Sequence, residues 1–82
     1  METDRRVYCA WNIFKCKHPD IHNGLKYGWR IGPHAIIYPT KWGFTFYKDG
    51  KKVGGAYFFY STPVADVLEK LEIFYVRNRY KS

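Results

Sequence analysis

The sequence predicts a small α+β domain, in which an antiparallel sheet of three to five strands carries one C-terminal amphipathic helix on one face. Three observations predict this fold. Short runs rich in β-branched and aromatic residues alternate with breaks at Gly, Pro and Asn. An Asp-Gly pair stands between two of these runs. Apolar residues at helical spacing then follow Ser61-Thr62-Pro63.

The first half of the chain predicts three strands. Residues 5–16 are rich in β-branched and aromatic side chains and are expected to form the first strand. The stretches 18–20 and 22–24 contain Pro and Asn-Gly, which indicate a turn or loop. Residues 25–31 and 34–38 are expected to form two further short strands on either side of a Gly-Pro break.

The second half predicts a hairpin. Asp49-Gly50 is typical of a two-residue type I′ turn, and this turn pairs Phe46 with Val53 and Tyr47 with Lys52. Gly54-Gly55 permits a bulge, which would exchange the two faces beyond it. On a straight ladder, one face carries Phe44, Phe46, Val53, Tyr57 and Phe59, and the other carries Thr45, Tyr47, Lys52, Ala56, Phe58 and Tyr60.

The C-terminal segment predicts a helix over residues 62–78. Ser or Thr suits its N-cap and Pro63 suits its first turn. One helix covers one face of a sheet, so the second face is expected to meet solvent or a partner. The apolar positions at helical spacing are Val64, Val67, Leu68, Leu71, Phe74 and Tyr75.

Composition points to one basic domain over residues 1–82. The net charge is +7 and 21% of the residues are aromatic, which favours an anionic partner. The alternative is that the charge only keeps an aromatic-rich protein soluble. No stretch resembles a signal peptide or a membrane span, so a reducing, cytoplasmic setting without a membrane partner is expected. In that setting Cys9 and Cys16 are expected to be reduced thiols.

The leading hypothesis is a non-enzymatic module without cofactors that binds RNA or single-stranded DNA. Rings on the uncovered sheet face would stack on bases while cations neutralise phosphates. The alternative is that these aromatic residues only pack beneath another segment of the chain. The expected binding residues are Arg30, Trp42, Tyr47, Lys48, Lys51, Lys52, Phe58, Tyr60 and Arg79.

The order of features from Trp42 to Leu71 is a strand, an Asp-Gly-Lys hairpin, a strand, a Ser-Thr-Pro cap and an amphipathic helix. This order resembles the three-stranded-sheet-plus-helix modules of AP2-type and integrase arm-binding DNA-binding domains. The resemblance implies that the sheet, not the helix, would contact DNA. It covers less than half of the chain and concerns topology and a few common residue types.

Three other functions are weighed against this one. A protein-interaction module, such as a phage-type inhibitor or adaptor docking on an acidic protein, would use the same aromatic residues, and a homodimer could bury the second sheet face. A zinc site would need Cys9, Cys16, His18 and His22, whose spacing fits no common pattern. A small ribonuclease would use His18, His22 and His34, but the sequence has no supporting catalytic motif.

Overall fold

The computed structural model describes residues 3–21, 28–32 and 34–78. Four strands form one antiparallel sheet in the order β1-β2-β3-β4, which agrees with the predicted fold class. Helices stand before and after the sheet in the chain. The elements are α1 (Arg5–Lys17), β1 (Trp29–Arg30), β2 (Ala35–Pro39), β3 (Gly43–Lys48), β4 (Lys51–Tyr57) and α2 (Val64–Asn78).

The strand predicted for residues 5–16 is wrong, because this segment is helix α1. Its buried residues, which include Val7, Trp11 and Phe14, recur every three or four positions and form one helical stripe. Asp4 caps the helix by accepting the Arg6 backbone N–H at 2.9 Å. The β-branched and aromatic content that suggested a strand therefore serves to fill the core from a helix.

The predicted hairpin is confirmed, and it contains a bulge. Asp49 and Gly50 both have positive φ, at 54° and 81°, as a type I′ turn requires. Tyr47 pairs with Lys52 as expected, but Phe46 pairs with Gly54. Val53 is the extra residue of the bulge, so the face assignments beyond it are exchanged relative to a straight ladder.

Helix α2 confirms the predicted C-terminal helix, and it shares one sheet face with α1. The Phe74 ring of α2 stacks on Phe46 of β3, with ring centres 4.4 Å apart. The Trp11 ring of α1 packs against the Trp29 ring of β1 at a tilt of 34°, with ring centres 3.9 Å apart. The sheet therefore carries two helices on this face, not the one that the sequence predicted.

Two polar contacts join α2 to the residues that follow α1. His18 Nε2 lies 2.8 Å from a carboxylate oxygen of Glu72, and the Tyr75 hydroxyl donates to Asp20. The predicted strand 34–38 is confirmed as β2, and the strand predicted for 25–31 is confirmed at Trp29–Arg30. Gly28 and Ile31 flank this strand without belonging to it, and residues 22–27 lie outside the described residues. Within the described parts of the chain, neither helix is long and apolar enough to cross a membrane.

Candidate nucleic-acid interface

One row of side chains crosses the sheet face opposite the helices. The register joins Arg30 to Ile36, Ile36 to Tyr47, and Tyr47 to Lys52, one residue from each strand. Paired residues of an antiparallel sheet share a face, and adjacent strands lie about 4.8 Å apart. The row therefore begins and ends with a cation, and about 14 Å separates the two ends.

Tyr38 and Tyr47 form the centre of this open face. They stand on the two inner strands, and their rings meet edge to face with centres 5.1 Å apart. The Tyr38 ring also lies beside Gly28, where an added Cβ would come within 2.9 Å of it. Both tyrosines are partly exposed. Their rings are held in place, so a ligand that stacks on them has little side-chain entropy to overcome.

Tyr57 extends the aromatic surface toward β4. Its hydroxyl lies 2.8 Å from the Thr45 hydroxyl, so the two groups share a hydrogen bond. Its ring lies over Gly55, where an added Cβ would stand 2.6 Å from the ring carbon Cε2 and from the hydroxyl oxygen. Glycine at this position therefore leaves the ring room to lie along the sheet.

A shallow groove of about 400 Å³ runs over this face, and no carboxylate stands in its described lining. Asp49 borders the groove through His34, whose Nδ1 lies 3.3 Å from the Asp49 carboxylate. Both side chains are exposed, so this pair adds little stability. The groove is lined by His34, Ile36, Tyr38, Thr40, Thr45, Tyr47 and Gly50.

The structure brings three of the predicted binding residues together. Arg30, Tyr47 and Lys52 belong to the single row described above. Arg30 and Lys52 are exposed and take part in no ion pair between described residues. Both cations are therefore available to an anionic ligand.

Phe58 does not belong to the open face, so its predicted position beside Tyr47 is wrong. The side chain is 3% exposed and lies in the core beneath Arg6, whose guanidinium carbon is 4.8 Å from the ring centre. The physical reason is the bulge at Val53. It exchanges the faces of β4, so Phe58 turns inward and Tyr57 takes the position on the open side.

Trp42 and Tyr60 are exposed but lie away from the row. Trp42 stands in the β2–β3 turn, at the other end of β3 from the Asp49-Gly50 turn. Tyr60 follows β4 and is fully exposed. With Phe59 they border a separate apolar pocket.

The other predicted cations are placed differently. Lys48 pairs with Lys51 on the helix side of the sheet, because the neighbouring residue Tyr47 faces the open side. Arg79 lies outside the described residues. The described residues of the predicted set are thus divided between the two faces of the sheet, the β2–β3 turn, the segment after β4 and the core.

Ile36, Tyr38 and Tyr57 also belong to the open face, although the sequence did not predict them there. Alternation along β2 places Ala35 and Ile37 in the core, so Ile36 and Tyr38 face outward. All four side chains are apolar or aromatic, so the alternation of polar and apolar residues that would reveal a face is absent. A bulge assigned at Val53 would have identified Tyr57.

The described residues of the zinc and ribonuclease hypotheses do not converge on one site. Cys9 and Cys16 are free, exposed thiols two helical turns apart on α1, or about 10 Å along the axis. His18 contacts Glu72, whereas His34 contacts Asp49. His22 lies outside the described residues. Two thiols this far apart cannot ligate one zinc ion together in this conformation.

No protein-family model, curated protein or solved structure matches this chain. The likeness in topology to AP2-type and integrase arm-binding domains therefore has no support from these comparisons.

Proposed function

We propose that the open sheet face binds single-stranded RNA or DNA and that the protein acts as a non-enzymatic binding module. One observation carries the proposal: Tyr38 and Tyr47 stand at the centre of this face, and Arg30 and Lys52 stand at the two ends of the same cross-strand row. Bases stack on such rings and phosphates pair with such cations.

The charge distribution supports this choice of ligand. The protein has a net charge of +7, which attracts a polyanion from a distance. The described lining of the groove lacks carboxylates that would repel phosphates. A single strand exposes the faces of its bases to tyrosine rings, whereas a duplex hides them in its own stack. The open face therefore suits a single strand better than a duplex.

The proposal is tested by fluorescence polarisation with labelled oligouridine and oligothymidine over a salt series. We expect Tyr47→Ala to weaken binding by about 1–3 kcal/mol, which is the usual contribution of one stacked base. Arg30→Ala and Lys52→Ala should each reduce the slope of log affinity against log salt by about 0.7, because each removes one phosphate contact.

Two control variants remove similar groups from elsewhere. Tyr8 and Lys15 are exposed on α1, on the opposite side of the sheet, so Tyr8→Ala and Lys15→Ala should bind as the unmodified protein does. Absence of binding to both oligonucleotides at low salt would refute the proposal. An equal loss in Lys15→Ala would show that only the net charge matters, and an equal loss in Tyr8→Ala would show that the open face is not the binding site.

A further inference from the structure

The free edge of β4 carries backbone groups that point away from the sheet. The order β1-β2-β3-β4 makes β4 an edge strand. The Phe58 N–H donates to the Trp42 carbonyl oxygen at 2.6 Å, so the backbone groups of Phe58 point toward β3. Because alternate residues of an antiparallel strand point in opposite directions, the backbone groups of Gly55 and Tyr57 point outward. No described residue supplies a backbone partner there. Such an edge is a template for another extended segment.

An apolar groove of about 420 Å³ lies between this edge and helix α2. The stacked rings of Phe46 and Phe74 line it, and Val53 and Ile73 add exposed apolar surface. Val53 is 55% exposed and Ile73 is 48% exposed, so the structure leaves both only partly covered. A strand added to β4 would place alternate side chains over this groove.

Glycine at position 54 keeps the edge open beside the groove. An added Cβ there would have the Phe46 ring at 3.9 Å as its nearest neighbour, which is ordinary contact distance. The space above residue 54 is therefore open to a side chain of an added strand.

The groove carries positive charge. Lys48, Lys70 and Arg77 line it, and the described lining holds no carboxylate. Arg77 and Lys70 form no ion pair with another described residue. A second copy of the chain would bring the same cations to the edge, including Lys51 and Lys52. Like charges that face each other across a strand pair oppose pairing, so a homodimer through this edge is disfavoured. Charge complementarity therefore favours an acidic partner.

We propose that an extended acidic peptide segment of a partner protein adds to β4 as a fifth strand. Its backbone pairs with Gly55 and Tyr57, one apolar side chain enters the groove beside Phe46 and Phe74, and its carboxylates pair with Lys70 and Arg77. The groove lies on the helix side of the sheet, opposite Tyr38 and Tyr47, so variants of the groove and variants of the open face distinguish the two proposals. The two proposals can therefore succeed or fail separately.

The test uses three synthetic, fluorescein-labelled peptides of one length with the full-length protein. The first alternates glutamate with valine or isoleucine. The second replaces glutamate with glutamine, and the third keeps glutamate but carries N-methyl groups on alternate backbone amides. We expect the first peptide to bind at least about tenfold more tightly than either of the others, because charge pairing and backbone pairing are each required.

Variants locate the site. Lys70→Glu/Arg77→Glu should weaken binding of the glutamate peptide about tenfold or more, and Lys15→Glu, an exposed control on α1, should weaken it much less. Tyr47→Ala should leave peptide binding unchanged. Hydrogen exchange should show slower exchange at Gly55 and Tyr57 when the first peptide is bound.

Several results would overturn the proposal. These are the absence of binding at millimolar peptide, equal binding of all three peptides, and a concentration-dependent dimer that protects the Gly55 and Tyr57 amides without peptide. Protection of the same amides by an oligonucleotide would show that nucleic acid, not a peptide, covers the edge.

Discussion

Arg6 connects α1 to the segment between β4 and α2. Its guanidinium donates to the backbone oxygens of Phe59 and Thr62 and lies over the Phe58 ring. It also pairs with Asp4 at 2.8 Å. The hydrogen bonds from Arg6 hold the pKa of the Asp4 carboxyl below its ordinary value of 3.8. The N-cap of α1 and the anchoring of this loop therefore depend on the same ion pair.

This ion pair predicts an acid-dependent loss of stability. A depressed pKa in the folded state means that ionised Asp4 stabilises the fold above the unfolded value of 3.8, and that this contribution disappears as pH falls through the lower, folded value. Urea unfolding should show that the unmodified protein has a higher free energy of unfolding than Asp4→Asn. This difference should be constant above about pH 5 and should become smaller below pH 3.8. A difference independent of pH would contradict this role.

At the scale of elements, the bulge in β4 decides which aromatic residues enter the core. The hairpin turn sets the pairing of Tyr47 with Lys52, and Val53 then adds one residue on one strand only. A shift of one residue exchanges the faces of a strand. Phe58 is buried for this reason, while its neighbour Phe59 is exposed. A straight ladder would exchange the environments of these two phenylalanines.

Adjacent alanine substitutions test this assignment. Phe58→Ala should lower the free energy of unfolding by about 3 kcal/mol or more, because it removes a buried ring and leaves a cavity. Phe59→Ala should change it by less than about 0.5 kcal/mol, since most of that ring is exposed. Chemical denaturation monitored by tryptophan fluorescence measures both. The reverse order would mean that the ladder is straight, and equal effects would contradict the assignment of the two faces.

At the scale of the whole molecule, two helices and one sheet share one core. Phe14 of α1 meets Tyr75 of α2 edge to face, and Trp11 packs against Trp29 and contacts Phe44. Phe14 and Leu71 are both fully buried. A chain of 82 residues buries a modest share of its surface, so neither helix is expected to be stable without the other. The open sheet face remains outside this core.

The shared core predicts one cooperative unfolding transition. Phe14→Ala in α1 and Leu71→Ala in α2 should each lower the free energy of unfolding by about 2–5 kcal/mol. In each variant that still folds, far-UV circular dichroism and tryptophan fluorescence should report the same midpoint in urea. Separate midpoints for the two signals would show that α1 or α2 unfolds independently of the sheet.

The sequence by itself determined the hairpin, the C-terminal helix and the basic character of the protein. Asp-Gly fixes a turn through its own backbone preferences, and the apolar stripe after Pro63 has only the helical period. Arg30, Tyr47 and Lys52 were predicted as binding residues on this basis, and the register places them in one row.

Only the tertiary structure decided the identity of the first element and the face of each aromatic residue. Residues 5–16 carry side chains that suit a strand, but a helix places Val7, Trp11 and Phe14 on one stripe against the sheet. The bulge at Val53 lies in a Gly-rich strand where local preferences are weak. In both places the burial of large rings outweighs local preference, because each buried ring contributes more free energy than the backbone propensities that oppose it.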